Sequence, residues 1–132
     1  MRFVILLIFC LAILGCDEVQ ETPKKEQIVR SYKGDVELLN SCGIQGAAAK
    51  MRTYLRNNGF DIVSSRNDAL QNYEETIIVL RNPEWEGAQA LAKALKTNNV
   101  LVVASKRAVV DAAVYIGKDF KQIIEPEEGN TK

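Results

Sequence analysis

Polar and apolar positions follow no period over the first part of the chain. Residues 3–14 (FVILLIFCLAIL) form an unbroken apolar run, and residues 17–33 (DEVQETPKKEQIVRSYK) are rich in charge without periodicity. A regular pattern sets in from residue 35. Residues 36–40 (VELLN) predict a short strand running into the turn signal NSCG. Residues 46–58 predict a helix with Ala47, Ala48, Met51 and Leu55 on one face, stopped by Asn58 and Gly59. Residues 60–64 (FDIVS) predict a second strand with Phe60, Ile62 and Ser64 on one side. A polar loop then leads to a third strand over 75–81 (ETIIVLR). Pro83 suits the first turn of a second helix reaching Lys96, where Ala88, Leu91, Ala92 and Leu95 keep i, i+3, i+4, i+7 spacing. Residues 100–104 and 112–116 predict two more strands, and 121–132 (KQIIEPEEGNTK) a mobile acidic tail.

The predicted order is β-α-β-β-α-β-β. It implies an α+β fold, a two-layer plait in which one sheet carries two helices on one face. About 85 ordered residues suffice for one such domain, here residues 34–120.

Composition narrows the function. The chain has 17 basic and 17 acidic residues among 132, so no field gathers phosphate backbones and no nucleic-acid partner is expected. Histidine is absent, which removes Ser-His-Asp and Cys-His chemistry and the commonest metal ligand. Of three cysteines, Cys10 and Cys16 lie in or at the end of the apolar run, leaving Cys42 without an internal disulfide partner. No carboxylate spacing matches a calcium loop, and no cofactor or metal is expected.

The 12-residue apolar run is too short to span a bilayer, which takes roughly 20 residues in a helix. With Arg2 before it and a small residue at its end, it has the parts of a secretory signal. Ile13, Leu14, Gly15 and Cys16 resemble the lipobox of bacterial lipoproteins. That resemblance implies cleavage after Gly15, removal of residues 1–15 and diacylglycerol on the Cys16 sulfur. Acyl chains at about 0.8 kcal/mol per buried methylene would then hold the chain on a membrane. Residues 16–33 would be a flexible tether spanning about 25 Å. The chain is thus expected in the cell envelope, anchored to the inner or outer membrane and facing the periplasm or exterior. A buried apolar N-terminal helix is the alternative, but the run has no polar face.

Residues 36–120 resemble the C-terminal domain of the LytR-CpsA-Psr cell-envelope family. The resemblance rests on VELLNSCGIQGAA from Val36, LRNNGFDIV from Leu55, YEETIIV from Tyr73, AQALAKAL from Ala88 and DAAVYIGKDF from Asp111. It implies a plait-like fold and a place in the bacterial envelope. In that family a separate, larger domain carries glycopolymer transfer, so no catalytic residue is carried over to this chain. Cys42 stands where the family more often has a small or hydroxyl residue.

Candidate ligand-binding positions are Asn40, Gly43, Gly46, Tyr73, Thr76 and Trp85. The loop of Asn40, Gly43 and Gly46 joins a strand to a helix, and its N–H groups suit an anion or a sugar hydroxyl. The same residues also make an ordinary tight turn with a capping asparagine. Tyr73 and Thr76, with two carboxylates between them, suit a glycan or a packed loop. Trp85 suits a sugar contact or a buried first-turn aromatic. The function expected is a lipid-anchored, non-catalytic module that recognises peptidoglycan or an attached glycopolymer. A protein adaptor that scaffolds envelope enzymes is the alternative, and a small carboxylate-dependent glycan-acting enzyme is a third reading.

Overall fold

The computed structural model describes residues 31–125. The apolar leader, Ile13, Leu14, Gly15, Cys16, most of the expected tether and residues 126–132 lie outside the described residues.

Five strands form one sheet in the order β2-β1-β5-β3-β4: β1 (Tyr32–Asn40), β2 (Phe60–Asn67), β3 (Ile77–Leu80), β4 (Val100–Val102) and β5 (Ala112–Ile116). Two β-α-β units, β1–α1–β2 and β3–α2–β4, each pair their strands in parallel through α1 (Ala47–Asn57) and α2 (Ala88–Ala94). The last strand, β5, lies between them, parallel to β1 and antiparallel to β3. Its small residues Ala112 and Ala113 are fully covered there.

Alternation along the strands divides the sheet into two faces. On one, Val36, Leu38, Phe60, Ile62, Ile78, Val114 and Ile116 pack against Met51 and Leu55 of α1, Leu91 of α2 and Leu95 at its C-cap. Burial of each large aliphatic side chain there stabilises the fold by about 1.5–3 kcal/mol. The Tyr54 hydroxyl ties the helices together by donating to the Ala94 carbonyl at 2.8 Å, and burial raises its pKa. The other face carries the smaller cluster of Leu39, Val79 and Ala113, flanked by Ile77 and Tyr115.

The α+β plait is the fold the sequence predicts, with several corrections. A third helix, α3 (Phe120–Ile124), occupies the start of the expected tail, and its Phe120 and Ile123 belong to the helix-side core. The sheet therefore carries three helices, not two. The second helix begins at Ala88 rather than Pro83 because residues 82–87 form turns that place Trp85 inward, the first led by Asn82 Oδ1 accepting from the Glu84 N–H at 3.1 Å. It ends at Ala94 because Lys96 turns left-handed (φ 50°) and Thr97 N–H returns to the Ala92 carbonyl. The first strand starts at Tyr32, inside the expected tether. The second runs on to Asn67 with a change of register. Val36 pairs with Ile62 but Glu37 with Ser64, which leaves Val63 unpaired. Past that point each side chain of β2 switches face, so Ser64 lies opposite to Phe60 and Ile62. Arg66 accordingly meets Glu37, donating at 2.7 Å, and that hydrogen bond raises its pKa.

Two predictions come from these departures. Ile123→Ala should lower stability by about 2–5 kcal/mol in urea unfolding, whereas a dispensable tail would leave the midpoint unchanged. A methyl group at Gly34, where φ is 135°, would overlap the Trp85 indole. Gly34→Ala should therefore cost about 1–3 kcal/mol and red-shift the emission of the chain's single tryptophan; unaltered emission would contradict that packing.

Candidate functional site

The sheet brings the loops of one end together because β3 runs against β1 and β5. The carboxyl ends of β1 and β5 thus lie beside the amino end of β3. Three segments meet there: the β1–α1 loop, the stretch before β3, and the turn after β5. Tyr73 N–H donates to the Ser41 carbonyl at 2.8 Å, Lys118 N–H to the Tyr73 carbonyl at 3.0 Å, and Asp119 N–H to the Glu74 carbonyl at 3.1 Å.

Thr76 is the knot beneath them. Fully buried, it donates its hydroxyl to Asp119 Oδ1 at 2.6 Å and accepts the Gly117 N–H at 3.1 Å. Its own N–H donates to Asp119 Oδ2 at 3.0 Å. Gly117 lies so close to the Glu75 backbone that a β-carbon would overlap it. Thr76 therefore holds the site in place and is not exposed to a ligand.

The Asn40 loop is also occupied with itself. Asn40 Nδ2 donates to the Ile44 carbonyl at 2.9 Å, and its Oδ1 accepts from the Cys42 thiol at 3.2 Å. Ser41 Oγ donates to Asp68 Oδ2 at 2.8 Å. Cys42 is buried, without the exposure a reactive thiol needs. Gly43 and Gly46 take positive φ angles, 73° and 82°, which the turn into α1 requires. Both are exposed at the rim.

Tyr73 stays half-exposed, its ring stacked on Tyr115 with centroids 6.1 Å apart. Beside it opens a cleft of about 610 Å³ lined by Tyr73, Glu74, Glu75, Ile77, Asn98, Asn99, Val100 and Leu101. Asn99 Nδ2 donates to Glu75 Oε2 at 2.8 Å, fixing one wall, and Lys118 pairs with Glu74. An aromatic ring, aliphatic side chains, two carboxylates and two amides thus share one opening. Among the described residues no group of three histidine, cysteine, aspartate or glutamate side chains could hold a metal ion.

Of the candidates named from sequence, Asn40, Gly43, Gly46, Tyr73 and Thr76 lie at this end of the sheet. Trp85 lies at the other. Its indole is buried between Gly34 and Gly87, edge-on to Phe60 at 6.4 Å, with Nε1 donating to the Lys33 carbonyl. It offers no exposed ring to a sugar. Sequence reasoning missed Asn98, Asn99, Ile77 and Leu101. The NN pair marks a turn, but only strand order shows that the turn faces Tyr73.

No helix among the described residues is long and apolar enough to cross a membrane. No curated protein and no solved structure matches the chain. The family model described as LytR cell envelope-related transcriptional attenuator matches residues 35–120, from within β1 to the first residue of α3. That span is nearly two thirds of the chain and holds all of the sheet but the first three residues of β1, with the Thr76 knot and the cleft. The description names an attenuator and no reaction. This chain belongs to the LytR cell envelope-related transcriptional attenuator family.

Proposed function

We propose that the chain is a lipid-anchored, non-catalytic envelope module that binds peptidoglycan or an attached glycopolymer in the cleft beside Tyr73. The carrying observation is the lining of that cleft. Sugars present an apolar ring face and a rim of hydroxyl groups. Tyr73, Ile77 and Leu101 suit the first, while Glu74, Glu75, Asn98 and Asn99 suit the second. Glu75 and Asn99 already hold each other, so the polar wall is set before a ligand arrives.

The two carboxylates of the cleft are already engaged, Glu74 by Lys118 and Glu75 by Asn99, and the histidine-free chain offers no imidazole beside them, which favours binding over acid–base work. The balanced charge does not favour nucleic acid, despite the word "transcriptional" in the family's description. An adaptor for envelope proteins is the second reading, favoured by the exposed apolar strand β4, with Leu101 and Val102 both more than half exposed. Anchoring rests on Ile13, Leu14, Gly15 and Cys16.

Co-sedimentation of the purified chain with intact sacculi, and with sacculi stripped of attached polymer, tests the binding. Binding is expected, and Tyr73→Ala should weaken it about tenfold, or roughly 1.4 kcal/mol. A folded chain that binds neither sample would shift the function to a protein partner. For the anchor, Cys16→Ser should accumulate unprocessed precursor in the cell; normal processing of that variant would rule lipidation there out.

A further inference from the structure

We propose that the free edge of β4 is a self-pairing surface, along which two copies of this chain join their sheets antiparallel about a two-fold axis at Val102. β4 is the outermost strand on its side of the sheet. In its parallel ladder with β3 the odd-numbered residues make the bonds. Ile78 N–H donates to the Asn99 carbonyl at 2.9 Å, and Val103 N–H to the Leu80 carbonyl at 2.9 Å. The N–H and C=O of one strand residue point the same way. Both groups of Val102, the carbonyl of Val100 and the N–H of Ala104 therefore face away from the sheet. Such an edge is a template for another strand unless charge, proline or a bulge blunts it. The opposite edge is blunted: β2 has its register shift at Val63 and exposed Asp61 and Arg66. β4 carries no charge, proline or bulge of its own, and only its short length restrains it. Residues 101–107 are exposed without a break, and Leu101, Val102 and Val103 are 55%, 60% and 47% exposed.

A second copy is the occupant this edge fits, because the edge complements itself. Antiparallel pairing centred on Val102 sets that residue against its own copy, Val100 against Ala104, and Leu101 against Val103. The two Val102 residues exchange both hydrogen bonds, and each Ala104 N–H reaches a Val100 carbonyl. Charge agrees with this direction. Exposed Glu75 stands at the start of β4, held by Asn99, while exposed Lys106 and Arg107 follow its end. Antiparallel pairing lays the acidic end of one copy beside the basic end of the other, twice over. Parallel pairing would set like charges together. A membrane surface would take the apolar and basic side chains but leave the strand's backbone groups unbonded, which is costly away from water.

The test uses the full chain in membranes and in detergent. Paired Val102 residues would have Cα atoms about 5.5 Å apart, within disulfide reach. Under mild oxidation, Val102→Cys should shift most of the chain to twice its mass on a non-reducing gel. Asp61→Cys, on the other edge, should stay at the level of the unsubstituted chain. Val102→Lys sets two like charges face to face and should halve the mass seen by sedimentation, with tryptophan emission unchanged as proof of folding. The proposal is overturned if Val102→Cys cross-links no more than Asp61→Cys, or if the Val102→Lys chain stays dimeric. A monomeric chain that floats with anionic vesicles through this edge would replace pairing by membrane contact. Val102 does not line the cleft, so pairing and sacculus binding can fail separately.

Discussion

The hydrogen bond between the buried Thr76 hydroxyl and the Asp119 carboxylate is the constraint on which the arrangement hangs. The two β-α-β units have no direct ladder with each other. They are joined by β5, which pairs with β1 on one side and β3 on the other. Thr76 sits where β3 begins, and Asp119 where the chain leaves β5 for α3. At 2.6 Å, with a carboxylate oxygen as acceptor, theirs is a short hydrogen bond. Removing Asp119 would leave the fully buried Thr76 hydroxyl without its acceptor, a cost of about 1–3 kcal/mol. The same residues hold Gly117 against the Glu75 backbone and point Tyr73, Glu74 and Glu75 toward the cleft. Core and candidate site therefore share one anchor, and a substitution at Thr76 would disturb both without touching a ligand.

Local patterns revealed the elements whose burial is one-sided. Met51 and Leu55 in α1, Leu91 in α2 with Leu95 at its C-cap, and the run of β5 all read correctly because each has a simple period that burial follows. Elements set by distant contacts did not read. Five residues of α3 show little more than the spacing of Phe120 and Ile123, and that helix exists because those two side chains complete the core under α1. Pro83 looked like a helix start, yet the helix waits until Ala88 because Trp85 must first reach the gap between Gly34 and Gly87. The face of Ser64 was misread because an unpaired residue in a strand leaves no mark on composition.

The candidate site was legible in part for the same reason. Tyr73 could be chosen as an aromatic within a polar loop, and the glycines as a turn. Their meeting depends on β3 running antiparallel to β1 and β5, which no local signal encodes. Thr76 attracted notice as a polar residue beside carboxylates, but its hydroxyl turns inward to Asp119, 43 residues away in sequence. Trp85 goes the other way: of its two readings, sugar contact or buried first-turn aromatic, the second holds, because Gly34 and Gly87 open a slot for the indole.

The two edges of the sheet show how differently one chain treats similar backbone. β2 is long, polar and shifted in register, and its Arg66 is engaged with Glu37 on the neighbouring strand. β4 is three residues long and apolar on its exposed side chains. Short length alone limits accidental growth of a sheet, since a few bonds give little affinity. Tethering at Cys16 would shift that balance: copies held on one surface meet at a high effective concentration, so a symmetric edge pairs more fully there than between free chains. The short strand and the anchor expected at Cys16 would then belong to one logic, in which the membrane strengthens a pairing that the edge already makes in solution.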